Sequence, residues 1–436
     1  MTHMKHIIQP ILFLLLPSIL LAQQRLTLHD AVATALKNSL GVQIANNNIN
    51  IADINNSYGM AGGLPVVSAT ASDVEQLNSL KQEYATAANN KTSNNAASNN
   101  LSAGITASML VYNGGRVTAA KQRLGITALQ SRQQLSAKAL TLVYNVMLRY
   151  YDVIRQQNYA KTLRQSIEVS KEKLTVVQTQ QNVGVANNAD LFQAQVDLNT
   201  QLQNLQAQQL VIDQDKTDLL TLLTVNPDSS IVINDTILVD KSITLASVMD
   251  AVRTNPDILA AGQQVMIYQF MAKETAAQRY PSFSVNGGYN FSHTQNAAGF
   301  SLLNQSYGPF AGIGVSIPVF NGHIYEKQKE VADINIKNAE LMKDTLAINY
   351  TANAVKSWQA YNNSLQQLET AKANYELSQK LLNLALQRFQ LRQATIVDIK
   401  NAQQSFENAG YLLINTSFAA KVAELQLKRY ANRMEY

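Results

Sequence analysis

Side chains that commonly carry chemistry are few in this sequence and far apart. Cysteine is absent, which excludes disulfides, thiolate zinc sites and a cysteine nucleophile. Two of the five histidines fall in the first 22 residues, and His29, His293 and His323 lie in different segments without metal-site spacing. The glycine-rich stretch 311–314 lies in a strand pattern and lacks the context of a phosphate-binding loop. We therefore expect neither an enzyme nor a cofactor site.

Two polar pairs, each spaced by three residues, carry the pattern of a helix start. Asn187 precedes Asp190, and Thr395 precedes Asp398. A side-chain oxygen just before a helix accepts a backbone N–H of the first turn, and the helix dipole favours an acidic residue in that turn. We predict Asn187 and Thr395 as N-caps, with both aspartates in the first turn. This electrostatic role does not exclude a second role for Asp398.

Two very long helices are predicted to end just before these pairs. The segment 116–182 contains no proline and a single glycine, and the segment 323–392 contains neither. At 1.5 Å per residue each helix spans roughly 100 Å. Helices of this length cannot bury themselves in a small globule, so they must pack side by side as a coiled coil or bundle wall. Shorter helical segments are predicted over 30–58 and 245–278.

Four segments alternate apolar residues with small or polar ones, which is the pattern of β-strands. They cover residues 66–74, 101–111, 283–291 and 311–319. One apolar and one polar face is typical of membrane-barrel strands, although a soluble, half-buried hairpin has the same pattern. The polar stretches 87–100 and 294–306 between the strands are predicted to be exposed loops.

Four strands are too few to close a membrane barrel. The smallest single-chain barrels have about eight strands, and an open sheet in lipid leaves unpaired backbone groups that each cost several kcal/mol. The sequence therefore predicts a mixed fold, in which a transmembrane β-barrel closed by oligomerisation is joined to long helices that pack as a coiled coil or bundle wall. Cyclic symmetry is the commonest arrangement for such an oligomer, and either two or three subunits satisfy the strand arithmetic.

The landmarks of the sequence occur twice in the same order. Pro65 and Pro281 are 216 positions apart, and the Asn-Gly turns at Asn113 and Asn321 are 208 apart. The second copy is therefore 8 residues shorter in this region, and we expect the difference in a loop. The chain divides into a first repeat, a connecting segment and a second repeat, over 23–225, 226–242 and 243–436.

The first 22 residues predict export from the cytoplasm. Lys5 supplies a positive charge, residues 11–21 are mostly apolar, and Ala22 is a plausible cleavage residue. The apolar run falls short of the ~20 residues that a spanning helix needs, which favours a signal peptide over a membrane anchor. The net charge of +5 is not concentrated in a basic run, so no nucleic-acid partner is expected.

Together these features resemble the TolC-like outer-membrane efflux proteins, also called outer membrane factors. The resemblance rests on the repeated Leu-Thr-type starts, the Leu64-Pro65 and Tyr280-Pro281 strand starts, the Asn-Gly turns, and the turns at 183–185 and 395–398. It implies a homotrimer with a twelve-stranded barrel in the outer membrane of a Gram-negative bacterium and a twelve-helix tunnel in the periplasm. The implied partners are outer-membrane lipid, a periplasmic adaptor and an inner-membrane pump of the RND or ABC type.

The resemblance also implies a function, which is the passive export of drugs, toxic compounds or metal ions through a tripartite efflux system. A duct for type I protein secretion is the alternative within the channel class. A structural periplasmic coiled-coil protein is the alternative from another class.

By resemblance, Asp398 lines the narrow periplasmic entrance. Three such carboxylates around one axis favour cations and resist anions. Asn401 stands where related channels carry a second acidic residue, and with Lys400 beside it the acidic ring is expected to be weaker. Phe389 stands where related channels have a gating tyrosine.

The residues of the two helix-to-helix turns are implied to face the adaptor. They are Val183, Gly184 and Val185 in the first turn, and Leu391 and Arg392 in the second. Glycine lets a partner backbone approach closely, whereas an arginine does not. We therefore predict unequal adaptor contact at the two turns.

Overall fold

Long helices alternate with antiparallel hairpins along the chain. A computed structural model describes residues 24–299 and 301–435, so the predicted signal peptide lies outside the described residues. The elements in chain order are β1 (Gln24–Arg25), α1 (Leu28–Asn38), α2 (Leu40–Asn55), β2 (Val66–Gln82), β3 (Lys91–Asn113), α3 (Arg116–Asn182), α4 (Asn188–Leu222), β4 (Ile231–Val232), α5 (Leu245–Val252), α6 (Pro256–Ala277), β5 (Ser282–Asn296), β6 (Leu303–Ser316), α7 (Ile324–Gln390) and α8 (Ile396–Tyr430).

The two hairpins form one antiparallel sheet in the order β2-β3-β5-β6. The register aligns side chains of one kind in rows across the strands, because alternate residues point to opposite faces. Met109 lies opposite Val285, which lies opposite Ile313, so this row is apolar. A row of the other face consists of Ser72, Ser102, Ser292 and Ser306. The predicted apolar and polar faces are therefore present.

The predicted loops 87–100 and 294–306 are largely strand, which corrects the sequence prediction. A single 3-10 turn covers Ala87–Asn89, and β3 already begins at Lys91, while only 297–302 separates β5 from β6. Polar side chains of neighbouring strands form hydrogen bonds with each other. Asn99 Nδ2 on β3 donates to Asp73 at 2.7 Å and to Glu75 at 2.8 Å, both on β2. Most of the length difference between the hairpins lies in the strands, because β3 has 23 residues and β6 has 14.

The long helices agree with their predicted extents. Each of α3 and α7 has 67 residues, and each is followed by a helix of 35 residues. The shorter helical segments are each broken once, where Ser39 caps α2 and where Asn255 caps α6 ahead of Pro256. Among the described residues, no helix combines the length and apolar character needed to cross a membrane.

Below the sheet the helices pack as a layer with the same order as the strands. The α2 helix packs on α3, α3 packs on α6, and α6 packs on α7. Halfway down the long helices, the connecting segment is fixed by buried polar groups. The Tyr150 hydroxyl donates to the Leu26 carbonyl at 3.1 Å and to the Asp235 carboxylate, while Glu424, fully buried, accepts the Asp240 N–H at 3.0 Å. Towards their C-terminal ends, α3 pairs with α4 and α7 pairs with α8, which gives two helical hairpins that pack on each other through α3 and α8.

Candidate functional site: the helical tip

The two hairpin turns share one backbone geometry. Gly184 and Arg392 both have left-handed backbone, with φ of +78° and +63°. In the first turn Val185 N–H donates to the Gln180 carbonyl at 2.8 Å, and in the second Gln393 N–H donates to the Arg388 carbonyl at 2.7 Å. This six-to-one hydrogen bond is the Schellman ending of a helix, which usually places glycine at the left-handed position. Arg392 occupies that position at a conformational cost that Gly184 avoids.

Both turns lead into a capped helix, but the caps differ. The Asn187 side-chain oxygen accepts the Asp190 N–H at 2.8 Å. At the second turn the bonding is reciprocal: Thr395 Oγ1 accepts the Asp398 N–H at 3.2 Å, and Asp398 Oδ2 accepts the Thr395 N–H and hydroxyl, both at 2.8 Å. The backbone N–H and the hydroxyl of Thr395 lower the pKa of Asp398 below its ordinary value. The exposed Asp398 carboxylate is therefore both cap and permanent surface charge at neutral pH.

Phe389 and Asn401 lie in different surroundings. The resemblance implies Phe389 at the constriction, but its side chain is only 6% exposed and packs with Val177, Ala194 and Ile399. Its ring therefore stabilises the packing of α3, α4, α7 and α8 near the tip. Asn401 is exposed, and its backbone carbonyl accepts the hydroxyl of a serine one turn later at 2.9 Å. Its amide is therefore free to face solvent beyond Asp398.

Both turns of the tip expose apolar side chains. Val183, Val185 and Leu391, the residues of the turns, are 64%, 55% and 68% exposed. Sequence reasoning missed two further exposed apolar residues nearby, which are Phe192 and Val196 on α4, although their spacing of four residues gives them one helix face. Neighbouring exposed apolar residues are typical of surfaces that contact other molecules.

An ionic cluster that the sequence did not reveal joins α3, α4 and α8 behind the turns. The Lys173 ammonium, completely buried, lies 2.7 Å from Asp197 Oδ2, and the Lys400 ammonium lies 3.2 Å from Asp197 Oδ1. Gln193 donates a further hydrogen bond to Asp197 at 2.8 Å. Burial raises the pKa of Asp197, but the hydrogen bonds from Lys173 and Gln193 outweigh burial and hold the pKa below its ordinary value. Lys400 is thus paired with Asp197, away from the Asp398 charge that it was expected to offset.

A second polar layer lies one to two turns farther along. The buried Gln403 side chain donates to Ser166 Oγ at 2.6 Å and to Ser170 Oγ at 2.8 Å. Ser166 also donates to Glu407, which accepts a hydrogen bond from Gln201 at 2.9 Å. Gln201 Oε1 is buried without a hydrogen-bond partner, but the other bonds of this layer favour one helix alignment, because a shifted alignment would break them. The described tip therefore combines hydrogen-bonded polar layers between the helices with the exposed Asp398 carboxylate and exposed apolar residues in both turns.

Comparison with known proteins agrees with this architecture. Residues 31–224 and 248–433 match the family model described as outer membrane efflux protein. The outer membrane protein TolC of Vibrio cholerae is 24% identical over 320 residues, which cover 69% of this chain and 70% of that protein. The outer membrane protein VceC of Vibrio cholerae has a TM-score of 0.76 at 16% identity, covering 93% of this chain and 95% of that chain.

A channel from another genus gives the same result. The CmeC outer membrane channel of Campylobacter jejuni has a TM-score of 0.77 at 17% identity, covering 93% of this chain and 85% of that chain. At these identities the likeness to VceC and CmeC shows the fold, and the family match covers most of the chain. The chain therefore belongs to the outer membrane efflux protein family, with a TolC-like fold and a place in the outer membrane.

Proposed function

We propose that this protein is the passive outer-membrane duct of a tripartite efflux system, which exports small molecules together with an inner-membrane pump and a periplasmic adaptor. One observation carries the proposal: an open four-stranded sheet with one apolar face continues directly into helices of 67 residues. At 1.5 Å per residue such helices are roughly 100 Å long, about twice the thickness of a bilayer with its headgroups.

Three copies of the chain close the barrel in this proposal. The strands β2 and β6 are the two edges of the sheet, and an edge in lipid leaves backbone groups without hydrogen bonds. The alternating stretch of β3 from Leu101 to Val111 has the length of about 9–11 residues that suits a tilted membrane strand. Pairing β2 of one copy with β6 of the next gives twelve strands and removes every edge.

The chain is, in the same proposal, a duplication with the boundaries 23–225, 226–242 and 243–436. Two observations support it. The family model matches two successive segments of the chain. Each segment contains helices, a β-hairpin, a helix of 67 residues and a helix of 35 residues, in that order.

At the tip, we propose that Asp398 and Asn401 of three copies surround the entrance. The lowered pKa of Asp398 supports a ring of ionised carboxylates. Lys400 is paired with Asp197, and the Arg388 guanidinium is the cation that interacts with Asp398 and helps to lower its pKa. The apolar turns around Val183 and Leu391 are proposed to bind the adaptor. Contact is expected to be weaker at the second turn, because the Arg392 side chain extends where Gly184 leaves open space.

Planar-bilayer recording of the purified protein tests the channel and the ring separately. The proposal expects stepwise conductance and, in a potassium chloride gradient, a reversal potential that shows cation preference. Asp398→Asn should move that potential towards zero, whereas the matched change Asp190→Asn should not. Absence of conductance would overturn the channel proposal, and conductance with an unchanged reversal potential in the Asp398 variant would overturn the ring alone.

A further inference from the structure

A pocket beside the connecting segment lies between the two helical hairpins of the chain. It has a volume of about 530 Å³ and is lined by α3, α7, α8 and the connecting segment. The lining residues of the three helices fall within 158–165, 368–375 and 410–417, spaced mainly by three and four positions, so each helix contributes one face. Seven steps along a helix rise about 10 Å, which sets the length of the pocket.

Both ends of the pocket are closed by side chains. At the end nearer the tip, the Tyr375 hydroxyl of α7 donates to Gln165 Oε1 of α3 at 3.3 Å. At the other end, the Lys241 ammonium of the connecting segment lies 2.9 Å from Glu369 Oε1 of α7. A polypeptide running along the pocket would have to break one of these contacts. The pocket therefore suits a small molecule, and its volume lies within the range of about 300–1,000 Å³ that is usual for such sites.

The bottom of the pocket is mostly apolar. Leu413 and Ile414 of α8 and Ile237 of the connecting segment line it, and all three are only partly exposed. Ile237 also packs against the apolar core around the connecting segment, which holds this wall in place. The bottom therefore favours an apolar group, because such a group gains free energy by leaving water.

The mouth of the pocket carries an excess of positive charge. Lys161, Lys241 and Lys372 are exposed there with one acidic lining residue, Glu369, which leaves a net charge of +2. The hydrogen bond from Lys241 lowers the pKa of the Glu369 carboxyl group below its ordinary value, and the charge of Lys372 adds to this effect. Glu369 is therefore ionised at neutral pH and already engaged by Lys241.

The other two ammonium groups lack such a bond. Among the described residues, none forms a hydrogen bond or an ion pair with the ammonium group of Lys161 or of Lys372. The α3 helix has no acidic residue three or four positions from Lys161 that could pair with it. Since a cleft with charge of one sign attracts ions of the opposite sign, the mouth favours an anion.

We propose that this pocket binds a small organic anion, whose carboxylate, sulfonate or phosphate group lies between Lys161 and Lys372 and whose apolar body contacts Leu413 and Ile414. The inference goes beyond the proposed duct and does not depend on the number of subunits, because one chain supplies the whole pocket. Lys161 belongs to the first helical hairpin and Lys372 to the second. The bound anion therefore links the two hairpins and opposes their separation.

Equilibrium dialysis of the purified full-length protein tests the pocket, with naphthalene-2-sulfonate as the probe and empty detergent micelles as the background. Lys161→Met and Lys372→Met remove one charge each from exposed positions, and each should weaken binding roughly threefold, with roughly tenfold for the double variant. The matched control is Lys380→Met, because Lys380 is exposed on α7 but outside the pocket. It should bind the probe as the unchanged protein does.

Uncharged naphthalene-2-methanol separates the charge from the apolar body. The sulfonate should bind more tightly than the alcohol, and this preference should shrink in the double variant and at high salt. Equal binding of the two compounds, or equal weakening in Lys380→Met and the double variant, would overturn the proposal. Loss of the pocket on these grounds in a preparation that still conducts ions leaves the channel proposal standing.

Hydrogen exchange locates the bound probe independently of the variants. Saturating sulfonate should slow the exchange of peptides covering 158–165 and 368–375, whereas peptides covering 188–200 should be unchanged. Slowing that is confined to other peptides would contradict the site. A short acidic peptide that binds more tightly than the sulfonate and displaces it would identify a protein segment as the occupant and overturn the assignment to a small anion.

Discussion

Removing the Asp197 carboxylate tests whether the ionic cluster holds the helical tip together. In the variant Asp197→Ala, the fully buried Lys173 ammonium loses its partner at 2.7 Å, and Lys400 loses its partner at 3.2 Å. A buried charge without a partner must either remain uncompensated or lose its proton, and both are costly. The ends of α3 and α4 should therefore open more often.

The expected magnitude follows from the burial of the pair. Breaking a buried ion pair by removing one partner costs about 3–5 kcal/mol. The Asp197 side chain is 12% exposed and Lys400 is 44% exposed, so water compensates part of the loss and the lower end applies. A cost of about 3 kcal/mol corresponds to a roughly 100-fold increase in the population of open states, at 1.4 kcal/mol per tenfold.

Hydrogen exchange measured by mass spectrometry reads this opening locally. Peptides covering 170–182 and 188–200 should exchange roughly 100-fold faster in Asp197→Ala, while peptides from the sheet should be unchanged. Asp213→Ala is the matched control, because Asp213 is an exposed aspartate on the same helix. Tip peptides that exchange less than about threefold faster in Asp197→Ala than in the control would refute the reasoning.

Lowering the pH should weaken the same ionic cluster, because it protonates Asp197. The pKa of Asp197 is lower in the folded protein than in an unfolded chain, so its carboxylate stabilises the fold above the ordinary aspartate pKa. This contribution is lost as the pH falls through the lowered pKa. The protection of the tip from hydrogen exchange should therefore persist at mildly acidic pH and decline only below the ordinary pKa of aspartate. Asp197→Asn should remove this dependence on pH.

Three further changes test the turns and the close packing of the helices. Arg392→Gly should stabilise the second turn by about 0.5–1 kcal/mol. A residue other than glycine costs about 1–2 kcal/mol in the left-handed conformation, and the higher entropy of glycine in the unfolded chain offsets part of the gain. Faster exchange of peptide 388–396 in this variant would contradict the expectation. Thr395→Ala should destabilise the start of α8 by about 1 kcal/mol, whereas Thr395→Ser should not, and equal exchange of the two variants would be inconsistent with the cap. A methyl group at Gly410 would lie 2.8 Å from Thr162 Cγ2, so Gly410→Ala should lower the unfolding temperature despite better helix propensity, with a cost of about 1–3 kcal/mol. Adding Thr162→Ser removes the clashing methyl group and should recover part of the lost unfolding temperature. An unchanged unfolding temperature in Gly410→Ala would show that α3 and α8 are not closely packed at this point.

Local features were readable from the sequence because their causes are local. The ends of α3 follow from an Asn-Gly turn before Arg116 and from glycine after Asn182, with only Gly125 between them. The caps follow from side chains three residues apart, which contact each other in any helix start.

Local composition gave a wrong secondary-structure prediction where the backbone conformation depends on pairing with a neighbouring strand. Residues 91–100 are Asn- and Ser-rich like a loop, but they form strand because β2 supplies a hydrogen-bonding partner. The burial of Phe389 depends on side chains from three other helices, so its packing could not be predicted from its position in the chain. The Asp197 cluster joins residues 24 and 203 positions apart, and one sequence contains no signal for such a contact.

Native mass spectrometry of the protein extracted from outer membranes in mild detergent tests the central claim most directly. The claim is that one chain supplies only part of a closed sheet, whose free edges are β2 and β6. We predict a single species with three times the mass of the processed chain. A stable species with the mass of one chain, soluble after the detergent is removed, would contradict the account.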